Sequence, residues 1–143
     1  MGRGFTLECK IINGIGVVPA YVCSAQKGLT SQEQVSFLKQ GRMLNCCFQT
    51  AAYPSAINRE TAAELHARPA VRDGKEVEDV YEVDILLPKN ILIPGKLVRV
   101  IDSQIDLTIG MDLIGHGDFA LSMRDGKPVM SFVVPHRGTI DLS

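Results

Sequence analysis

"LNCCFQTAAYPSAINRETAAEL", Leu44 to Leu65, is the stretch on which the reading of this chain turns. It opens on apolar, β-favouring residues, crosses a turn of small and polar residues, and ends in an alanine-rich segment after Asn58. That order predicts a strand over Met43–Phe48, a turn, and a helix with Asn58 as its N-cap. Ala62 and Leu65 would face a core. Cys46 and Cys47 are adjacent on the strand and therefore point to opposite faces.

Outward from this stretch, Gly and Pro divide the chain into short β-rich segments. In "FTLECKIINGIGVVPAYVC", Phe5 to Cys23, the pair Asn13-Gly14 predicts a hairpin, and Pro19 must face an unpaired edge or a bulge. Residues 27–41 read as a polar insertion, with a short helix capped by Ser31 and Gln34. "RPAVRDGKEVED" is a polar hairpin or loop about Asp73-Gly74, and "VYEVDILLP" is a strand ended by Pro88. "NILIPGKLVRVI" predicts two short strands around Pro94-Gly95. "IDLTIG" reads as a buried strand, and "MDLIGHG" as about two helical turns capped by Asp112. A last hairpin turns at Asp125-Gly126. The expected architecture is all-β, mainly strands with two short helices, as one domain over residues 1–143.

Composition narrows the function. The chain has 143 residues, 45% hydrophobic and 22% charged, which suits a folded domain with a real core. A net charge of −1 supplies no basic field for phosphates, so nucleic acid is not an expected partner. Charges interrupt every apolar run, so no membrane span is expected. Met1-Gly2-Arg3-Gly4 lacks the apolar core of a secretion signal, and the expected compartment is the cytoplasm. Gly2 with Thr6 matches a loose acylation pattern that short sequences meet by chance. The four cysteines form no CxxC pair, so no zinc site, metal or cofactor is expected; small buried thiols are.

Three pieces together resemble the retropepsin family, the retroviral-type aspartic proteases and their bacterial relatives. The first is "QTAAYPSAIN", Gln49 to Asn58, where Thr50, Ala52, Ser55 and Ile57 fit the family frame. The second is "YEVDILLP", Tyr81 to Pro88, similar to the strand after the family's flap. The third and most specific is "LTIGMDLIGHGDFALS", Leu107 to Ser122, similar to the Ile-Gly-x-Asp/Asn strand and helix of bacterial members. The resemblance covers roughly residues 43 to 135. It implies an acid-protease half-barrel, one lobe per chain, working as a homodimer whose termini interleave into one sheet. It further implies a peptide held as an added strand beneath a flap at residues 68–80. The peptide would meet Ala52, Val71, Asp73, Gly74 and Ile109. Thr50 would hydrogen-bond across the two-fold axis.

The departure lies at the centre of the motif. Gln49 stands where the family keeps its aspartate, and Ala51 where it keeps a glycine. The family mechanism needs two carboxylates sharing a proton. A glutamine amide orients water but has no protonation step near neutral pH. Losing a positioned acid–base group costs about 10²–10⁴-fold, and a dimer loses both copies. Asp102 imitates an apolar-apolar-Asp-Ser pattern, but Gln104 follows where a small residue belongs, so Asp102 reads as a loop residue. Nothing in the sequence brings His66, His116 or His136 to Cys46 or Cys47 as a hydrolase would require.

Three functions follow. The first is an inactive dimeric pseudoprotease that binds extended peptide or a protein partner. The second is an aspartic endopeptidase whose active form carries Asp-Thr-Gly at 49–51. The third is a structural or regulatory β-domain, favoured if Phe48 and Tyr53 fill the cleft.

Overall fold

The structure is a computed structural model and describes residues 3–135; Gly2 of the acylation pattern and His136 lie outside them. From the N-terminus run β1 (Arg3–Glu8), β2 (Lys10–Ile12), β3 (Ile15–Ser24), α1 (Ser31–Lys39), β4 (Met43–Phe48) and β5 (Ala56–Asn58). Then follow α2 (Arg59–Glu64), β6 (Arg68–Arg72), β7 (Lys75–Leu87), a 3-10 turn at Pro88–Asn90 and β8 (Ile91–Ile101). Last are β9 (Leu107–Ile109), α3 (Met111–Ile114), β10 (Asp118–Arg124) and β11 (Lys127–Val134).

Three two-residue turns organise these strands. Asn13-Gly14, Asp73-Gly74 and Asp125-Gly126 each hold positive φ at both positions, with φ of 51° and 79°, 52° and 76°, and 51° and 77°. This is the hairpin turn whose twist matches its flanking strands, and Asn or Asp followed by Gly is its least strained occupant. The turns join β2 to β3, β6 to β7 and β10 to β11.

The larger sheet runs β2-β3-β4-β9-β5-β8-β7-β6, and a further β3–β7 pairing closes it into a barrel. Pro19 falls between the end of the β2 register at Val17 and the start of the β7 register at Tyr21. On that flank a missing N–H costs no ladder bond, as expected of a proline in a strand. The predicted N-terminal hairpin is only partly right. Phe5 and Leu7 belong to β1, which leaves at Cys9 to pair with β11 in a second sheet of order β1-β11-β10.

Aromatic packing joins the two sheets. Phe48 at the end of β4 stacks on Phe119 of β10, with ring centroids 5.3 Å apart and 2° between planes. It meets Phe132 edge-on at 5.1 Å and Phe5 at 6.1 Å. Cys46 lies in this main core, while Cys47 faces a smaller cluster with Val17 and Ile105, so the two thiols do part to opposite faces.

Two predicted elements are corrected. The insertion at 27–41 carries a full nine-residue helix, α1, and its capping box is Thr30 with Glu33, one residue earlier than Ser31 and Gln34. Leu38 seals α1 onto the barrel. α1 packs on β3 and β7, which explains why Val83–Leu87 are buried without alternation. The two short strands expected around Pro94-Gly95 are one strand, β8, whose register against β7 shifts between Val83 and Ile85. The residue inside the shift is Asp84, 1% exposed. Its carboxylate accepts from Gly95 N at 2.8 Å and Gln26 N at 3.0 Å. A buried carboxylate thus satisfies two backbone donors that the irregular ladder leaves over.

Asp84→Ala orphans both N–H groups. The expected loss is about 3 kcal/mol of unfolding free energy, read as a lower denaturant midpoint.

Candidate functional site

The site is built where β4 ends. β9 lies between β4, its parallel neighbour, and β5, its antiparallel one. The chain between β4 and β5 must therefore arch over the end of β9, and Gln49–Ala52 form the arch. Gln49 N donates to Ile109 O at 2.8 Å, continuing the β4–β9 ladder by one bond. Ala52 N donates to Gln49 O at 3.1 Å and closes the turn. Met111 N then donates to Ala52 O at 2.8 Å, tying the turn to the start of α3.

A bracket centred on Ser55 holds the turn from behind. Ser55 is fully buried. Its hydroxyl donates to Asp112 Oδ1 at 2.7 Å and accepts from Gly110 N at 2.9 Å. Its N–H reaches both Asp112 oxygens at 3.0 Å. Lys96 Nζ, from β8, completes the set at 2.7 Å from Asp112 Oδ2. Asp112 was expected to cap a two-turn helix; instead α3 spans four residues, its N-cap is Gly110, and the carboxylate turns back to Ser55 and Lys96. Gly110 is required by space: a Cβ there would lie 2.6 Å from Ala52 O. Burial pushes the Asp112 carboxyl up, but the Lys96 ammonium and the Ser55 donors outweigh it and hold the group below the ordinary carboxylate range.

The expected site residues divide into two places. Gln49, Thr50 and Ala51 are exposed on the turn, and Ala52 is half-buried beside them. Ala51 is not among the residues of positive φ, so a side chain at 51 brings no backbone strain within the chain. Ile109 joins the turn only through its carbonyl. Its side chain is wholly buried in the core. Val71, Asp73 and Gly74 stand apart, exposed on the β6–β7 hairpin. A groove of about 870 Å³ lies elsewhere, between Ser31, Gln32 and Val35 of α1 and Ile91, Leu92 and Val134.

The other candidates fall into supporting places. Asp102 is an exposed loop residue beside Arg59. Asp106 accepts from Asn45 N and Thr61 Oγ1. Asn58 caps α2 as expected, accepting from Glu60 N and Thr61 N. His66 and His116 are exposed at the ends of α2 and α3, while Cys46 and Cys47 are buried. Burial, with Cys47 adjacent, pushes the Cys46 thiol well above its ordinary value. Cys23 is pushed up to about 11, first by burial and then by the Asp84 charge. Ser55 was marked only as part of a motif frame, and Lys96 was missed; it lies on a different strand from every motif residue.

Asp112→Ala breaks a largely buried pair and orphans the Ser55 donors, for an expected loss of about 3 kcal/mol in denaturant unfolding. Because the folded Asp112 titrates below its unfolded value, its contribution is present above about pH 4 and is lost as pH falls through the lowered folded value. Asp112→Asn should flatten that acid limb of the stability–pH curve. Thiol reagents at neutral pH should label the native chain slowly and all four cysteines readily in guanidinium.

No protein-family model matches the chain, and no curated protein matches it. Among solved structures it is similar to a retropepsin-like aspartic protease from Rickettsia conorii, with 11% identity and a TM-score of 0.53 over 94% of this chain and 96% of that one. It is also similar to the retroviral protease-like domain of Ddi1 from Leishmania major, with 20% identity and a TM-score of 0.47 over 80% and 93%. The first likeness, spanning nearly both chains, shows that this β-barrel with its short helices has the retropepsin-like fold.

Proposed function

We propose that this chain is a single retropepsin-like domain without proteolytic activity, a homodimer that holds an extended peptide or a partner's segment. The carrying observation is the Gln49–Ala52 turn, exposed and rigidly seated, with an amide where a proton-exchanging acid is required. The backbone of the turn is what positions a bound strand, and its hydrogen bonds come from Ile109, Met111 and the turn itself. Peptide binding by strand addition draws on such backbone geometry and needs no acid. The β6–β7 hairpin, with Val71, Asp73 and Gly74 at or beside its tip, would serve as the flap, and Ala52 would line the floor. Thr50, exposed beside Gln49, would meet its counterpart in the second chain. The fit is to a reducing, cytoplasmic setting, since all four cysteines are free.

One observation favours a second reading, an endopeptidase whose active form carries Asp-Thr-Gly. The Ser55–Asp112–Gly110 bracket is complete, as an active site would need. The third reading loses its support, because Phe48 is taken into the core and Tyr53 is 73% exposed.

Both readings are tested by Gln49→Asp combined with Ala51→Gly, assayed on a peptide library at mildly acidic pH. The parent chain should show no cleavage. The double variant should gain at least about 10²-fold over it, with a statine-type mimic abolishing the gain. Cleavage by the parent chain at the same sensitivity to the mimic would sink the inactive reading.

A further inference from the structure

The groove between α1 and the start of β8 shares no lining residue with the Gln49–Ala52 turn or the β6–β7 hairpin. Its floor is apolar. Val35 of α1, Ile91, Leu92 and Pro94 of β8, and Val134 of β11 line a space of about 870 Å³. A smaller space of about 210 Å³ shares Ile91, Leu92, His116 and Val134 with it and is walled by Ile93, Leu113 and Phe132. The two form a groove with an apolar side pocket, a shape suited to one large apolar side chain and the segment that carries it.

The rim is polar, and its ionisable groups are bases. Arg3 and His116 are exposed there, and among the described residues lining either space none is Asp or Glu. In a chain with 16 acids against 15 Lys and Arg, that is a local bias toward positive charge. Arg3 is also held in place: one Nη donates to Asn90 O at 3.2 Å. A guanidinium has five donors in a planar fork, so this bond leaves others for an incoming carboxylate. Asn90 presents its carbonyl from an unusual backbone. Lys89 and Asn90 follow each other with φ of 63° and 60°, a left-handed pair without a glycine. Such backbone is disfavoured and collects at ligand clamps.

We propose that this groove binds an acidic segment of a partner protein, with one large apolar side chain anchored in the side pocket and a carboxylate paired to Arg3. The buried anchor supplies most of the affinity of such a contact, and the charge pair selects the partner. A basic segment would set its cations against Arg3 and be rejected by the same charge. The groove and the Gln49–Ala52 turn are separate surfaces, so either reading can fail without the other.

A phage-displayed library of random peptides, selected on the full chain, tests this. Enriched peptides should carry Asp or Glu close to a single Leu, Phe or Met. Synthesised with a fluorescent label, they should bind more weakly as salt rises. Arg3→Glu and Val35→Glu should each raise their dissociation constant at least about tenfold, and Arg3→Lys should raise it less. Arg3 is exposed and Val35 half-buried, so the circular dichroism of each variant should match the parent. Enriched peptides without acids, or acidic ones that Arg3→Glu holds as tightly as the parent, would overturn the proposal, as would no enrichment at all. Peptides released by Thr50→Lys but not by Arg3→Glu would belong to the turn and also overturn it. Peptides matching a stretch of this chain would assign the groove to a second copy or to residues 136–143 and overturn the partner.

Discussion

The carboxylate of Asp112 is the constraint on which the site depends. It gathers a serine from the turn side, a lysine from β8 and, through Ser55 Oγ, the backbone of Gly110. Three segments far apart in sequence are held within hydrogen-bond distance of one buried point. Such a point is costly unless each partner is present, because a lone buried charge has no compensation. The closeness of Ala52 O to Gly110 follows from it, and only a residue without a Cβ tolerates that approach. Remove the bracket, and the arch between β4 and β5 loses its support from below.

A second constraint works between the sheets. Phe48 ends β4, immediately before the turn, and its ring lies against Phe119, Phe132 and Phe5. The residue that begins the site is thus anchored to the small sheet that carries β10. Motion of one against the other would unstack aromatic pairs worth about 0.5–1.5 kcal/mol each beyond their burial.

How much of this could be read from residue order depends on the range of the interaction. The three hairpins were legible because Asn-Gly and Asp-Gly answer to a local demand, positive φ at two consecutive residues. Asn58 was legible for a similar reason, since an N-cap bonds donors two and three residues ahead. The cap of α1 is Thr30, paired reciprocally with Glu33, while Ser31 with Gln34 fits the same local pattern one residue later, so residue order alone does not choose between them. What stayed hidden has distant partners. The continuity of β8 past Pro94-Gly95 depends on Asp84, eleven residues earlier on another strand. The departure of β1 at Cys9 depends on β11, more than a hundred residues away, and no turn residue marks it. Asp112 looked like a cap because its position allows one; its bonds to Ser55 and Lys96 exist only in the folded chain.

The same separation of ranges shows in how the Gln49–Ala52 turn is held. No hydrogen bond that seats the turn uses the side chain of residue 49: the bonds run from its N–H and C=O, from Ala52 and Met111, and from the bracket beneath. Among the described residues, the hydrogen bond to the Gln49 amide, from Ala51 N at 3.4 Å, is long and lies on an exposed surface. Exchanging an acid for an amide therefore takes little from stability while taking the whole proton-transfer step from the chemistry. Ser55, Gly110, Asp112 and Lys96 hold the turn whatever side chain occupies position 49. Residue 49 is free to change because the architecture rests on its backbone, and catalysis, where it exists on this fold, rests on its side chain.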